Sequence, residues 1–309
     1  MKKIALVALI FVTAPLHAAG DTPFVIAESG KGFYRLDDAV RAIGDGDGTI
    51  SIAPGSYRDC ATQAGGNIVF RAQIAGRSVF DGGICEGKAA LVLRGRSARV
   101  EGLVFQNMRV PDGNGAGIRL EKGDLVVANS MFRNSEQGIL TAPDPAGRVT
   151  IDRSTFSGLG RCDRGLSCAH SIYIGDYGSL TVTRSRFERG RGGHYVKSNS
   201  GRVSISDSSF DDTQGLATNY MIDLPSGAVG TITRNVFVQG KNKENYSAFI
   251  AVAAEARNHR SAGLVITGND ASIAPGAGRS TIFVADWSHE PLKIGPNRLG
   301  PGLKSFETR

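Results

Sequence analysis

Leu125-Val126-Val127-Ala128-Asn129-Ser130-Met131-Phe132 decides the fold, because the phrase keeps returning. It recurs as Val149-Thr150-Ile151-Asp152-Arg153-Ser154-Thr155-Phe156 and as Leu180-Thr181-Val182-Thr183-Arg184-Ser185-Arg186-Phe187. Two more copies are Val203-Ser204-Ile205-Ser206-Asp207-Ser208-Ser209-Phe210 and Gly230-Thr231-Ile232-Thr233-Arg234-Asn235-Val236-Phe237. Weaker copies flank them at Val100 to Phe105 and Leu264 to Ala271. The closing phenylalanines stand at 105, 132, 156, 187, 210 and 237, so the spacing runs from 23 to 31 residues. An unequal period of that size marks a solenoid whose loops differ in length. Apolar members of each copy alternate with Ser, Thr, Asp and Arg, as in a strand with one face buried. In the five strong copies the Ser or Asn two residues before Phe is expected to satisfy backbone groups at a turn, as a polar ladder.

A second strand follows each Phe: Gly117 to Leu120, Gly138 to Thr141, Ser171 to Ile174, Tyr195 to Ser198, Met221 to Leu224 and Phe249 to Val252. Two strands plus loops per turn, without intervening helices, give an all-β parallel β-helix. Ahead of the coils, Leu36, Ala39, Val40 and Ile43 fall on one face of a short helix that would cover the raw sheet edge.

The helix, then Gly48-Thr49-Ile50-Ser51-Ile52-Ala53-Pro54-Gly55-Ser56-Tyr57, then the coils, resembles the opening of the pectin-lyase-like right-handed β-helix superfamily. The resemblance covers nearly all of the chain after its first segment and implies a carbohydrate-facing groove along one parallel sheet. The superfamily holds lyases, hydrolases, epimerases and non-catalytic members. This sequence carries no Arg-x-Pro-x-x-Arg with calcium carboxylates. It also lacks the Asn-Thr-Asp, Asp-Asp and Gly-His-Gly set of polygalacturonases and the Asp-Pro-His of alginate epimerases.

Residues 1–19 read as a signal peptide: Lys2 and Lys3, the apolar stretch Ile4 to Val12, then His17-Ala18-Ala19 at a cleavage site. The remainder, 20–309, is expected to be one β-helix domain, with coils over about 48–287 and a cap over 288–309. A periplasmic or secreted location without a membrane anchor follows. Cys60, Cys85, Cys162 and Cys168 then suggest two disulfides rather than free thiols. Cys60 and Cys85 lie about one turn apart, and Cys162 with Cys168 would close a small loop before His170.

The formal charge of +7 suits an anionic partner such as an acidic polysaccharide. Nucleic acid is not expected, for no Lys/Arg cluster interleaves with aromatics. A monomer is expected, and no cofactor. Asp45 and Asp47 resemble the start of a calcium loop, but no Glu follows at the required spacing.

Aligning the second strands on Ile118, Ile139, Ile172, Val196, Ile222 and Ile250 puts Arg119, Leu140, Tyr173, Lys197, Asp223 and Ala251 in one outward column. The preceding column, also expected to face out, includes Tyr195. The column before that holds Gln137, His170, His194 and Tyr220. Neighbouring coils stack at about 4.8 Å, so His170, Tyr173, His194, Tyr195, Lys197 and Asp223 form a candidate catalytic patch. Arg119, Asn219, Tyr220, Asn242, Asn245 and Tyr246 are the candidate substrate-binding residues.

Uronate β-elimination needs a carboxylate neutraliser, a base for the C5 proton and an acid for the departing oxygen. Lys197 fits the first role, His170 or His194 the second, and Tyr173 or Tyr195 the third. C5 epimerisation would use the same parts. A glycoside hydrolase needs two carboxyl groups. Only Asp223 lies on the patch, with Asp176, Asp211 and Asp212 as loop candidates. A non-catalytic glycan binder or envelope scaffold is the remaining alternative.

Overall fold

A computed structural model describes residues 22–309, so the expected signal peptide lies outside the described residues. The described chain is a right-handed parallel β-solenoid with one helix, Leu36–Ile43. Its second and third sheets have ten strands each, and its first sheet has twelve. Each full coil holds three strands, not the two expected from sequence. What reads as one phrase is split in the middle. Asp124–Ala128 belongs to the first sheet, Met131–Arg133 to the second and Gln137–Thr141 to the third.

The split is made by one residue per coil in the left-handed region. Asn129, Arg153, Arg184, Asp207 and Arg234 have φ between 46° and 56°. That conformation costs a non-glycine residue about 1–2 kcal/mol. A hydrogen-bond ladder offsets it. The Ser130 N–H donates to Ser154 Oγ at 3.3 Å, Ser154 N–H to Ser185 Oγ at 3.2 Å and Ser185 N–H to Ser208 Oγ at 3.0 Å. Asn235, Asn269 and Asn297 continue the series through their side-chain oxygens. Each of these corner donors, from Ser130 to Asn269, is therefore met by the coil that follows it.

Inside, the repeating phenylalanines form a stack. Ring centroids from Phe105 to Phe237 are 4.8–5.0 Å apart, with neighbouring planes within 12° of parallel. The separation matches the coil spacing, and all six rings are buried. Burial of such rings is the largest apolar contribution that each coil makes.

The helix closes the N-terminal end, burying Leu36, Ala39 and Val40. Its Asp37 accepts the Thr62 N–H, while Asp59 accepts that of Leu36. At the other end lie residues 288–309, the segment expected to cap the coils. Lys293–Ile294, Arg298–Leu299 and Leu303–Thr308 add a last strand to each sheet. Two of those strands are only two residues long, too short to display an alternation. Both disulfides form, Cys60–Cys85 between neighbouring coils and Cys162–Cys168 within one loop. Such bridges belong to an oxidising compartment. No helix among the described residues is long and apolar enough to cross a membrane.

Candidate functional site

The third sheet carries the candidate patch. Its registers pair Arg119 with Leu140, Leu140 with Tyr173, Tyr173 with Lys197 and Lys197 with Asp223. Five successive coils thus contribute one outward column. Beside it the rings of His170 and His194 stack at 5.0 Å, and those of His194 and Tyr220 at 5.6 Å. His170 also lies 5.5 Å from the Tyr173 ring.

The Tyr195 column does not face out. Tyr195, Met221 and Phe249 are buried, and a Cβ at Gly117 would come within 2.7 Å of the Phe132 ring. The chain bends as it enters this sheet, so two successive side chains point inward. Tyr195 donates its hydroxyl to Asp212 Oδ1 at 2.7 Å and accepts the Gly190 N–H. Burial and the Asp212 carboxylate push its phenol well above the usual range. Tyr195 is therefore a core residue and cannot serve as an acid toward a sugar.

A groove of about 530 Å³ opens over the sheet, within the size range of ligand sites. Arg119, Gln137, His170, Tyr173, His194 and Lys197 line it. One wall is the Cys162–Cys168 loop, which presents Ser167 and Cys168. Arg161, just before that loop, bonds the Ser167 carbonyl, and Arg164 within it reaches the buried Glu136. The opposite wall is Glu255, from the loop after Ala248–Val252. His259, farther along that loop, lies 3.1 Å from Asp176.

Lys197 Nζ sits between two carboxylates, 3.3 Å from Asp223 and in close contact with Glu255. Its own burial favours the neutral amine, but Asp223 and Glu255 outweigh that and raise its pKa. Asp223 is buried beneath it. Desolvation pushes that carboxyl up to about 6, although Lys197 acts the other way. Oδ1 of Asp223 has no hydrogen-bond partner, and neither has Arg119 Nε, Gln137 Oε1 or Ser171 Oγ. Orphaned buried polar atoms are uncommon, and with His194 Nδ1 five of them gather around this groove.

Both histidines are neutral. Burial, with Lys197 adding to it, holds His170 down to about 3. Burial also depresses His194, helped by His170 and Lys197. His170 Nδ1 accepts the His194 backbone N–H at 3.0 Å. The proton of the neutral ring is therefore on Nε2, making His170 a donor rather than the expected base. His194 Nε2 lies 3.4 Å from Asp223 in the groove wall.

The remaining candidates are dispersed. Arg119 lines the groove and Tyr220 packs on His194. Asn219 bonds Glu244, Asn242 pairs with Leu216 in a two-stranded side sheet, Asn245 accepts the Ser247 N–H, and Tyr246 lies under Arg279. None of these four lines the groove. Asp176 faces His259, Asp211 bonds Thr213, and Asp212 is buried against Lys243. No second carboxyl group from that set joins Asp223. Sequence reasoning missed Glu255, which sits in an aperiodic loop 58 residues from Lys197 and carries no pattern that points to it. Gln137 was visible as the predecessor of His170 in its column. Among the described residues no group of three or more His, Cys, Asp or Glu is placed to hold a metal ion.

The sequence pattern of a family described as right-handed β-helix region matches residues 89–287. A solved structure of ORF18 from Geobacillus virus E2 is similar, with a TM-score of 0.59 and 15% identity. The match covers 88% of this chain and 57% of that one. At this identity the likeness is one of fold, and the chain spans little more than half of the viral protein. No curated protein matches.

Proposed function

The chain belongs to the family of right-handed β-helix regions, and from that premise we propose that it acts on an acidic, uronate-containing glycan by β-elimination. The observation that carries this reading is the register pairing of Tyr173 with Lys197 on adjacent strands, both lining one groove. A uronate carboxylate entering the groove exchanges with Glu255, whose side chain is 61% exposed, and takes its place on Lys197. Asp223 stays beneath and holds the ammonium in position. The Nε2–H of His170 adds a neutral donor for charge that develops on the carboxylate.

With the carboxylate neutralised, the C5 proton becomes acidic. Tyr173 Oη takes that proton. The C4–C5 double bond forms as the C4–O bond breaks, and the Tyr173 hydroxyl delivers the proton to the departing oxygen. Nothing else is consumed. Return of a proton to the opposite face of C5, without loss of the 4-oxygen, would give epimerisation. One observation favours binding without turnover instead: Lys197 is already held by two carboxylates, and the His170 Nδ1 lone pair is taken by a backbone N–H.

The test is incubation with a panel of uronans, following ultraviolet absorbance of unsaturated uronate. Absorbance that Tyr173→Phe removes supports elimination. New reducing ends without it mean hydrolysis. Saturable binding with no product, the same in Tyr173→Phe, would leave only the binding reading.

A further inference from the structure

A second groove, of about 470 Å³, runs along the other side of the turn that leads into the third sheet. Its cations are Arg133, Arg189 and Arg191, and its one anion is Glu188. None of the three guanidinium groups has an ion-pair partner among the described residues. By contrast, Arg153, Arg184 and Arg234 at the other corner all pair with Asp152 or Asp207. Glu188 is occupied by Ser157 and Arg186.

Arg189 is an anomaly of position. The second-sheet register aligns Arg133, Ser157 and Glu188, so the residues after them occupy equivalent places in three successive coils. These are Asn134, Gly158 and Arg189, all with positive φ. Asn and Gly suit that conformation and Arg does not. An exposed Arg kept there without a partner is strain with no structural return, a mark of functional sites.

We propose that this groove is a second binding site for an acidic polysaccharide, whose carboxylate or sulfate groups lie against Arg133, Arg189 and Arg191. Arg133 and Arg189 are two coils apart, about 9–10 Å along the axis, so the site suits a linear polyanion extended along the solenoid. Asn134 and Gln214 offer hydrogen bonds to hydroxyls, and Leu216, 54% exposed, offers an apolar face to a sugar ring. No aromatic ring lines the groove, which removes the stacking platform that single-stranded nucleic acid uses. The choice of glycan as ligand rests on the reading of the first groove, whereas the anion site itself does not.

The experiment compares the full chain with Arg133→Gln/Arg189→Gln/Arg191→Gln and with Lys197→Ala. Ligands are polygalacturonate, alginate, chondroitin sulfate and a uronate trisaccharide, titrated calorimetrically, and melting curves verify folding. Loss of affinity for the long polymers on the order of tenfold or more in the triple variant, with the trisaccharide unaffected, is the expected result. Lys197→Ala should show the reverse preference. Polymer affinity equal to the original in the triple variant overturns the second groove, as does a wild-type chain that binds none of the polymers. Elimination product from the trisaccharide in either case leaves the first groove's function standing. Polymer affinity lost in the triple variant, with no product from any ligand, supports the second groove while sinking elimination.

Discussion

His170 accepts the backbone N–H of His194 on Nδ1, and the two rings stack one coil apart. This contact decides the chemistry of the pair. It uses the lone pair that a general base would need and leaves Nε2–H as the group His170 can offer. Replacing His170 with Gln keeps a donor and an acceptor in the side chain. We expect His170→Gln to retain more activity than His170→Ala or His170→Phe, measured as initial rate on a uronan substrate.

The proton-transfer role falls on Tyr173. Tyr173→Phe removes only the hydroxyl, and loss of general acid–base catalysis lowers kcat by about 10²–10⁴-fold. The KM should stay within a few-fold, because the ring remains in the wall. Equal loss in kcat and affinity would point to a binding role instead.

Acid should weaken the fold through the histidines. His170, at about 3, and His194 have pKa values below that of an unfolded histidine. The unfolded chain therefore binds more protons over that interval, and stability falls as pH drops from about 6.5 toward 3. Asp223, raised to about 6, acts in the opposite sense between about 4 and 6, but it is one group against two. A net loss on the order of 1 kcal/mol per pH unit is expected in melting curves. His170→Gln should flatten the slope, and an unchanged slope would contradict the burial of a neutral ring.

The corner conformation can be tested at Arg153, whose φ is 46° and whose side chain is exposed. Arg153→Gly should leave stability unchanged or raise it. Arg153→Val should lower it by more than about 1 kcal/mol, because a β-branched residue tolerates left-handed backbone poorly. Denaturant midpoints of the two variants give the comparison.

Phe156 sits mid-stack, 4.9 Å from Phe132 and 4.8 Å from Phe187. Phe156→Ala should cost about 3–5 kcal/mol in denaturant titration. A smaller cost would mean that the stack collapses around the gap.

The solenoid was legible because each coil must bury a Phe and satisfy a corner, and both demands recur in the chain as Phe132, Phe156, Phe187 and their Ser partners. The division into three strands was not, since a left-handed corner held by Arg153 or Arg184 looks like any polar position of a strand. The column Tyr173, Lys197, Asp223 followed from strand alternation. Tyr195 did not, because alternation fails where the backbone bends. Glu255 was beyond reach for another reason: its loop obeys no period, and its contact is with a residue far along the chain.

The serine ladder gives the molecule a direction. A coil's corner donor is satisfied only by the oxygen of the coil that comes later in the chain, as Ser130 is by Ser154. A nascent chain that has laid down its coils as far as one of these serines therefore ends in an unmet N–H that the next coil can satisfy. Growth from the N-terminus repairs its own defect at every step, whereas growth from the other end would begin without the helix that seals the sheet.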